Sequence, residues 1–546
     1  MAQQRKQERN WTVTVRQAIP SGDRPRWIRI PERSQLIRAA ILLVSFAILV
    51  IAYRVVERTI AFNSDNACIL LQAHEVAGGN LMLRGWALSN CSFYPEISFY
   101  AVAMLINHSP SALSRELPPI VYALIVMFAL WLTGLGSGNP PSYGGYAITF
   151  ILIGLPTNLQ HLYIAPGTHM STMLLIFAAL VALSFTEETS ARAPAAYIAY
   201  TALLAFAVFG DLFALYFAAI PIALVTAYRW VRGLFSQTRE LIALAATVAA
   251  VLIADGAIRL IRAIGGFRLV PVEPHFVALK ALHSNISATI GGITSLCGID
   301  PAQAVSPLGA ILFLARSAGL AFILGCCIYS AYRSLRGTET RTTAIVMAAA
   351  LVTAIGYVSN NAVIGLTTAR YLIPFVLYGA ILAGRVAGTV IRPTKLFRAA
   401  IGLISVAYLF GFVRLMSQPT AIPQREEALA QWLYQRGLVL GYGDYWHASI
   451  VTLESDGKVK IRAISFAGRL YPYLWESKRE WYSGDPGTPA PNFVVIEEQK
   501  KMLAFHEAIS AMLTLGRPSK AYQFEGYTIM VWDKGKWLLR SAPNTN

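Results

Sequence analysis

Long apolar runs recur through the first 416 residues of the chain, and short polar stretches separate them. A helix needs about 20 mostly apolar residues to cross a hydrocarbon core about 30 Å thick. Eleven runs reach or approach this length, so the pattern predicts about 11 transmembrane helices. Their ranges are 36–55, 117–135, 145–158, 169–186, 195–210, 211–228, 241–262, 307–331, 342–358, 370–390 and 399–416.

The last 130 or so residues (417–546) have a different pattern, with more charged and aromatic positions and no run long enough to span a membrane. Ile450–Leu453 and Val459–Ile464 flank Asp456 and Gly457, a two-residue turn signal that predicts a β-hairpin. Further strands are predicted at 493–496 and 527–532, and helices at 426–436 and 498–514. The tail is therefore expected to form a small α/β domain.

Composition agrees with the apolar pattern. Of 546 residues 55% are hydrophobic and only 14% are charged, and the mean hydropathy is +0.50. Soluble proteins are roughly 25% charged, so several soluble domains are excluded. The net charge of +17 is typical of nucleic-acid binding, but the densest basic stretch, residues 1–38, directly precedes the first apolar run. We therefore interpret it as a cytoplasmic flank of a polytopic α-helical membrane protein and expect no nucleic-acid partner.

The distribution of basic residues predicts the orientation. With the N-terminus inside, the cytoplasmic segments hold 20 Lys and Arg, whereas the longer external segments before residue 417 hold 9. Positive residues concentrate on the cytoplasmic side, so the N-terminus is expected inside and the C-terminus outside. No cleavable signal peptide is visible. The predicted organisation is a basic cytoplasmic segment (1–35), a transmembrane domain (36–416) with large outer loops at 56–116 and 263–306, and an extracytoplasmic domain (417–546).

The five cysteines have no metal-ligand spacing. Cys326 and Cys327 lie in an apolar run, where they are expected to be packing residues. Cys68, Cys91 and Cys297 fall in external segments, and the sequence leaves open whether any two of them form a disulfide.

The first outer loop carries the most informative polar residues. Ser64 and Asp65 are N-cap candidates for a short helix that Gly78 and Gly79 would end. Asp65 would then lie at the outer surface, just after the first span. It can be interpreted as a helix cap alone or as a carboxylate available for chemistry.

This loop and three later motifs resemble the GT-C superfamily of integral-membrane glycosyltransferases. The later motifs are the segment from Pro156 to His169, the pair Gly210-Asp211 followed by Pro221, and Thr368-Ala369-Arg370-Tyr371-Leu372-Ile373-Pro374. The resemblance covers residues 36 to about 416. It implies a GT-C-like fold and transfer of a sugar from a polyprenyl-phosphate carrier, at the outer face of a bacterial inner membrane, to a glycan, lipid or protein acceptor.

The resemblance also implies roles for particular residues. Asp65 would be the base that deprotonates the acceptor hydroxyl in an inverting transfer. The chemistry of a leaving phosphate adds Arg370, beside Tyr371, as its candidate binder, because a guanidinium can donate to two oxygens at once; the alternative is that Arg370 only anchors the helix at the membrane interface.

The chain departs from the family pattern between spans three and four, where many members carry a second acid. His161 and His169 stand there instead, so a divalent metal is an open expectation and no other cofactor is predicted. Asp211 lies in a tight turn, Arg262 is at an outer helix end and Arg316 is within a span, where a charge costs roughly 2.5–3.5 kcal/mol. These residues and the two histidines are candidates for binding substrate or phosphate. The alternatives are that Asp211 is only solvated, that Arg262 contacts lipid headgroups, that Arg316 faces a polar cavity and that the histidines are only hydrogen-bonded.

Two other functions remain open on the sequence. A transporter or flippase of lipid-linked saccharides would explain Arg316, but such proteins carry repeats and polar sites near the membrane midplane. We find no repeat. An inactive assembly scaffold would tolerate the loss of Asp65.

Overall fold

The computed structural model is mainly helical. It describes residues 33–60, 62–107, 109–113, 115–135, 143–156, 163–164, 167–187, 192–234, 236–270, 275–361, 363–391, 394–417, 425–484, 489–498 and 501–539. The chain divides into two compact units, Met1–Ile48 and Leu49–Asn546. The described part of the first unit is helical.

The predicted spans appear as apolar helices. Among the described residues, eight helices are long and apolar enough to cross a membrane, and three shorter apolar helices lie at Tyr143–Gly154, Met170–Ser184 and Leu215–Val231. The fold class is confirmed, whereas the count of 11 stays a prediction. The long candidate spans are Ala40–Glu57, Leu117–Gly134, Ala193–Gly210, Gln237–Ala263, Pro307–Leu335, Arg341–Val358, Gly365–Thr389 and Lys395–Met416.

Local signals explain where several spans begin. The side chains of Ser306, Thr340 and Thr394 each accept a hydrogen bond from the backbone N–H three residues later, which satisfies a donor that the helix leaves free. Proline stands in the first two positions of four other apolar helices, where its missing N–H has no cost. Those helices begin at Leu117, Ala193, Ile220 and Ile373.

Charged side chains between the spans are paired. The guanidinium of Arg229 lies 3.0 Å from the buried carboxylate of Glu240. Arg341, also buried, lies 3.4 Å from Glu187. Arg385 donates to the carbonyl of Leu132 at 2.5 Å. A buried charge is tolerated only with such partners, so these contacts hold neighbouring helices in register.

The two segments predicted to be outer loops, 56–116 and 263–306, contain regular structure and are named the first and second outer segments after that prediction. The first holds α1 (Ser64–Ala77), β1 (Trp86–Leu88) and α2 (Tyr94–Met104), and the second holds β2 (Arg268–Leu269) and α3 (Leu279–Leu296). The sequence predicted an outer loop at 263–306 without a helix, whereas the structure has the 18-residue helix α3 there. Strand β1 pairs in parallel with β2, which joins the two segments.

The tail forms an α/β domain, as predicted. Its elements, in chain order, are α4 (Arg425–Gln435), β3 (Leu440–Gly443), α5 (Tyr445–Glu454), β4 (Lys460–Phe466), β5 (Leu470–Pro472), β6 (Ser477–Lys478), β7 (Phe493–Glu497), α6 (Lys501–Leu515), β8 (Lys520–Phe524) and β9 (Tyr527–Val531). All these strands except β6 make a six-stranded sheet in the order β5-β4-β3-β7-β9-β8. Strands β3, β4 and β7 are parallel, whereas β5, β8 and β9 run antiparallel to their neighbours.

The predicted hairpin in the tail is wrong. Asp456 and Gly457 do adopt positive φ angles of 46° and 76°, but they join helix α5 to strand β4. The side chain of Asp444 accepts from the N–H of Trp446 and so begins α5. An apolar run as short as Ile450–Leu453 does not distinguish a strand from a helix, and here the N-cap decides.

The tail packs directly on the first outer segment. Ile450 and Leu453 of α5 lie in the same buried core as Ile69 and Leu70 of α1. Strand β6 pairs antiparallel with β1, which attaches the tail to the small sheet. All five cysteines are buried free thiols, and the thiol of Cys68 lies 3.2 Å from the hydroxyl of Ser449.

Candidate active site

Asp65 lies in the first turn of α1 but does not cap it. Asn63 is the N-cap, because its side chain accepts from the N–H of Asn66 while the Asn66 side chain accepts from the N–H of Asn63. The prediction that Ser64 or Asp65 caps the helix is therefore wrong. With the cap supplied by Asn63, the carboxylate of Asp65 makes contacts outside its own helix, and it remains 30% exposed.

Two residues from distant parts of the chain contact this carboxylate. The hydroxyl of Tyr445, at the start of α5 in the tail, donates to Asp65 Oδ1 at 2.5 Å. On the other side, Nη1 of Arg370 lies 4.0 Å from Asp65 Oδ2. The predicted acid and the predicted phosphate-binding cation are thus neighbours, and a residue of the tail domain completes the group.

Arg370 lies in a 3₁₀ helix, Gly365–Leu372, that precedes the span beginning at Ile373. Its guanidinium is 5.4 Å from the ring centre of Tyr371, within the range of a cation–π contact. Its Nε has no hydrogen-bond partner among the described residues. The side chain is 31% exposed, so it retains N–H donors for an anion.

Tyr371 is held in a cluster of aromatic rings. It stacks on Phe213, with ring centres 4.8 Å apart and planes 13° from parallel. The imidazole of His169 contacts both rings, at 5.3 Å from Tyr371 and 5.1 Å from Phe213. Packing of this kind fixes the orientation of Tyr371 and, through it, of the adjacent Arg370.

His169 and Asp211 form a buried pair behind these rings. Nδ1 of His169 lies 2.6 Å from Asp211 Oδ2, and both side chains are almost wholly buried. The other oxygen of Asp211 accepts from the thiol of Cys91 at 3.2 Å and from the N–H of Phe213 at 2.9 Å. Burial alone would raise the pKa of Asp211, but the neighbouring imidazole and these hydrogen bonds hold the pKa below its usual value. The Asp211 carboxylate is therefore ionised and accepts the Nδ1–H of His169.

The backbone at His169 is unusual. This residue, which precedes the helix Met170–Ser184, has a φ of 65° in the left-handed region. Few residues other than glycine adopt that conformation, and such outliers concentrate at functional sites. The pair with Asp211 and the ring contacts hold His169 in place.

The sequence did not single out Glu96, which lies close to this pair. Glu96 is buried in α2, and its carboxyl accepts from the N–H of Gly167 at 3.1 Å. Burial raises the pKa of Glu96 to about 7, and the nearby charge of Asp211 acts in the same direction. The sequence signal that could have identified Glu96 is its position as an acidic residue among the mostly apolar residues of Tyr94–Met104.

The remaining candidates lie elsewhere. Nη1 of Arg316 donates to the carbonyl of Gly298 at 2.6 Å, so this buried charge has a backbone partner at the end of the second outer segment. Arg262 is exposed in the last turn of the helix Gln237–Ala263. His161 lies outside the described residues.

A cavity of about 130 Å³ adjoins the aromatic cluster. Phe213 and Tyr371 belong both to the cluster and to the cavity wall, which is completed by further aromatic residues such as Phe217, Phe276 and Tyr357. The lining is mostly apolar, as is typical of sites that enclose the hydrophobic part of a ligand.

The described residues do not fit a divalent metal. No group of three His, Cys, Asp or Glu side chains comes together among them. Asp65 has a cation 4.0 Å away, and both oxygens of Asp211 already accept from protein donors. A divalent ion needs several free oxygen or nitrogen ligands, so we derive no step through a metal.

Together, the membrane-spanning helices and the outer acid–guanidinium group define a polytopic membrane protein with its polar site near the ends of its spans. No protein-family model matches the chain, and no curated protein matches it. Its structure is similar to that of ArnT from Cupriavidus metallidurans in the apo state, with a TM-score of 0.55 and 11% identity over 90% of this chain and 98% of that one.

The structure of the same ArnT bound to undecaprenyl phosphate gives a TM-score of 0.53 and 10% identity, over 90% of this chain and 97% of that one. The apo oligosaccharyltransferase of Archaeoglobus fulgidus gives a TM-score of 0.49 and 11% identity, over 86% of this chain and 71% of that one. ArnT is a GT-C glycosyltransferase. The chain therefore has the GT-C fold, as the sequence resemblance implied.

Proposed function

We propose that this protein is a glycosyltransferase that moves a sugar from a polyprenyl-phosphate carrier to a hydroxyl of an envelope acceptor, at the outer face of a bacterial inner membrane. The acceptor would be a glycan, a lipid or a protein. The observation that carries the proposal is the 4.0 Å approach of Arg370 to Asp65, because these residues are the proposed phosphate-binding group and the proposed base.

In the proposed reaction Asp65 takes the proton of the acceptor hydroxyl. The acceptor oxygen forms a bond to the anomeric carbon of the donor sugar from the face opposite the phosphate. The bond between that carbon and the phosphate oxygen breaks, and its electron pair leaves with the polyprenyl phosphate. The configuration at the anomeric carbon is inverted, and the proton ends on Asp65.

Arg370 would stabilise the negative charge that grows on the departing phosphate. A fixed guanidinium is suited to this because it donates through a planar fork and is always protonated. The exposed fraction of its side chain leaves donors accessible to the phosphate. The buried His169–Asp211 pair would act as a positioning group, since it holds the ring of Tyr371 next to Arg370.

Two further observations support a lipid-linked donor. The aromatic cavity beside Tyr371 is suited to the isoprenoid end of such a carrier. In addition, ArnT, whose fold this chain shares, has been crystallised with undecaprenyl phosphate.

The test is a transfer assay with the purified full chain in detergent. Synthetic polyprenyl phosphates, each carrying one pentose or hexose, are incubated with envelope extract, and free polyprenyl phosphate is measured by mass spectrometry. We expect one donor to be consumed with an equal amount of sugar appearing on an acceptor. Movement of intact lipid-linked sugar across proteoliposomes, without cleavage of any donor, would contradict the proposal and favour a flippase.

A further inference from the structure

The tail presents exposed aromatic rings beside the catalytic candidate Asp65. Trp446 is 57% exposed and Tyr473 is 38% exposed, so each offers part of a large ring to a partner. Both rings pack against Tyr445, with centres 5.2 Å away in each case. We call Tyr445, Trp446 and Tyr473 the aromatic platform.

The platform is rigidly supported. The N–H of Trp446 donates to the Asp444 side chain at 2.7 Å, which fixes this residue at the start of α5. The backbone of Tyr473 donates to the carbonyl of Ala463 at 3.1 Å and accepts from the hydroxyls of Ser477 and Tyr482. A preformed surface of this kind loses little conformational entropy when it binds a partner.

The platform is joined to the reacting group through one hydrogen bond. The hydroxyl of Tyr445 donates to Asp65 Oδ1 at 2.5 Å, so it occupies a position that a hydroxyl must take if it is to give its proton to Asp65. A carboxylate can accept about four hydrogen bonds, so an incoming hydroxyl can join or displace that of Tyr445. The platform therefore marks the side from which the acceptor reaches Asp65.

We propose that the aromatic platform binds the acceptor of the reaction and that this acceptor is a saccharide; the inference rests on the function proposed above. A sugar ring has an apolar C–H face that packs on aromatic rings, and a rim of hydroxyls, one of which must reach Asp65. An aromatic surface that ends at a carboxylate matches both features. A lipid surface matches only the first, because acyl chains have no hydroxyl to offer Asp65.

Binding of saccharides to the full-length protein in detergent tests the inference without any transfer step. The probe is an oligosaccharide fraction released from bacterial envelope polysaccharide and glycolipid, observed by saturation-transfer NMR in the absence of donor. The variants are Trp446→Leu, which keeps an apolar side chain, and Trp446→Phe, which keeps an aromatic ring. The matched control is Tyr434→Ala, because Tyr434 is 53% exposed on α4 of the same domain.

We expect saturation of sugar C–H protons by the parent, by Trp446→Phe and by Tyr434→Ala. For Trp446→Leu we expect binding about tenfold weaker, the size of effect typical of an aromatic anchor residue. Equal binding by Trp446→Leu and the parent would overturn the inference, and so would the absence of any bound saccharide.

Two further outcomes separate this inference from the proposed function. Quenching of tryptophan fluorescence by brominated lipids in proteoliposomes, present in the parent, lost in Trp446→Phe and unchanged on adding saccharide, would make the platform a membrane anchor and overturn the inference alone. Saccharide binding that requires Trp446, in a protein that cleaves no polyprenyl-phosphate donor, would support the platform while refuting the glycosyltransferase. The two proposals can thus fail independently.

Discussion

Nη1 of Arg370 lies 4.0 Å from Oδ2 of Asp65, although the two residues belong to the last and the first parts of the membrane domain. Neither is locked into a tight ion pair at this distance, and both remain about one-third exposed. In the proposed reaction both groups act at the same anomeric carbon, Asp65 on the incoming hydroxyl and Arg370 on the outgoing phosphate.

Asp65→Asn should abolish transfer while leaving the fold intact. The amide oxygen still accepts the hydrogen bond of Tyr445, but it cannot take a proton from an acceptor. Loss of a general base lowers the rate by a factor of about 10²–10⁴. The rate would be measured as release of polyprenyl phosphate by the purified variant.

The control for Asp65 is Asn63→Ala, which removes the helix cap and not the carboxylate. It should cost about 1 kcal/mol of stability and retain most activity. If Asp65→Asn transfers sugar as fast as the parent, Asp65 is not the base and the role proposed for this carboxylate is wrong.

Arg370→Lys should lower use of the donor even though the charge is kept. An ammonium lacks the planar fork that contacts two phosphate oxygens, so kcat/KM for the donor should fall roughly 10²-fold or more. Arg259→Lys is the control, since Arg259 is 77% exposed and pairs only with Asp255 in the contacts described. Equal donor kinetics in the Arg370 variant and in this control would show that Arg370 does not bind the phosphate.

Asp211→Asn should destabilise the protein far more than Asp255→Asn. The Asp211 carboxylate accepts from His169, from the thiol of Cys91 and from the N–H of Phe213, and an amide has only one accepting oxygen, so a buried donor loses its partner at a cost of about 1–3 kcal/mol. Asp255 is half-exposed and pairs with Arg259 alone among the contacts described, so its substitution leaves no buried donor without a partner. Chemical denaturation of both variants in detergent measures the difference. Equal stabilities would mean that the His169–Asp211 contact does not hold the site.

The pH dependence of stability should change in Glu476→Gln. Glu476 is buried against the first outer segment, where Ser89 and Gln72 donate to it. Burial raises its pKa from 4.5 to about 7. The folded state therefore binds the proton more strongly than the unfolded state does. The protonated Glu476 carboxyl adds to the free energy of unfolding in full below pH 4.5, and this stabilisation is lost as the pH rises through about 7.

Glutamine mimics the protonated carboxyl and should remove that loss. The melting temperature of the variant should match the parent at about pH 5 and exceed it at about pH 8. Glu525→Gln, at an exposed turn, should track the parent at both pH values. If the melting temperatures of Glu476→Gln and the parent differ by the same amount at both pH values, the raised pKa of Glu476 is contradicted.

The orientation of the chain can be tested with reporter fusions. The excess of basic residues in the presumed cytoplasmic segments predicts a cytoplasmic N-terminus and an external C-terminus. A periplasmic reporter fused after Asn546 should be active, and one inserted within residues 333–341 should be inactive. The reverse pattern would place Asp65 on the wrong side for the proposed chemistry.

Much of the membrane domain could be predicted because its signals are local. A run of about 20 apolar residues has one stable solution in a bilayer, so the helices appear where the runs lie. Asp65 and Arg370 were both chosen from short motifs, and the structure brings them together. In the tail, the run Ile450–Leu453 was predicted to be a strand but lies in helix α5, because a run of four apolar residues is too short for its periodicity to distinguish a strand from a helix.

The sequence alone determined the membrane-spanning helices and the α/β tail, because apolar length and the change in pattern at the tail are properties of neighbouring residues. Its motifs and its resemblance to a family singled out Asp65, Arg370, Tyr371, His169 and Asp211 as candidates. Only the tertiary structure decided that Tyr445 of the tail donates to Asp65 and that Asp211 pairs with His169. It also decided that Glu96 is buried beside them. These contacts join segments far apart in the chain, and their energies depend on burial and distance, which no local pattern encodes.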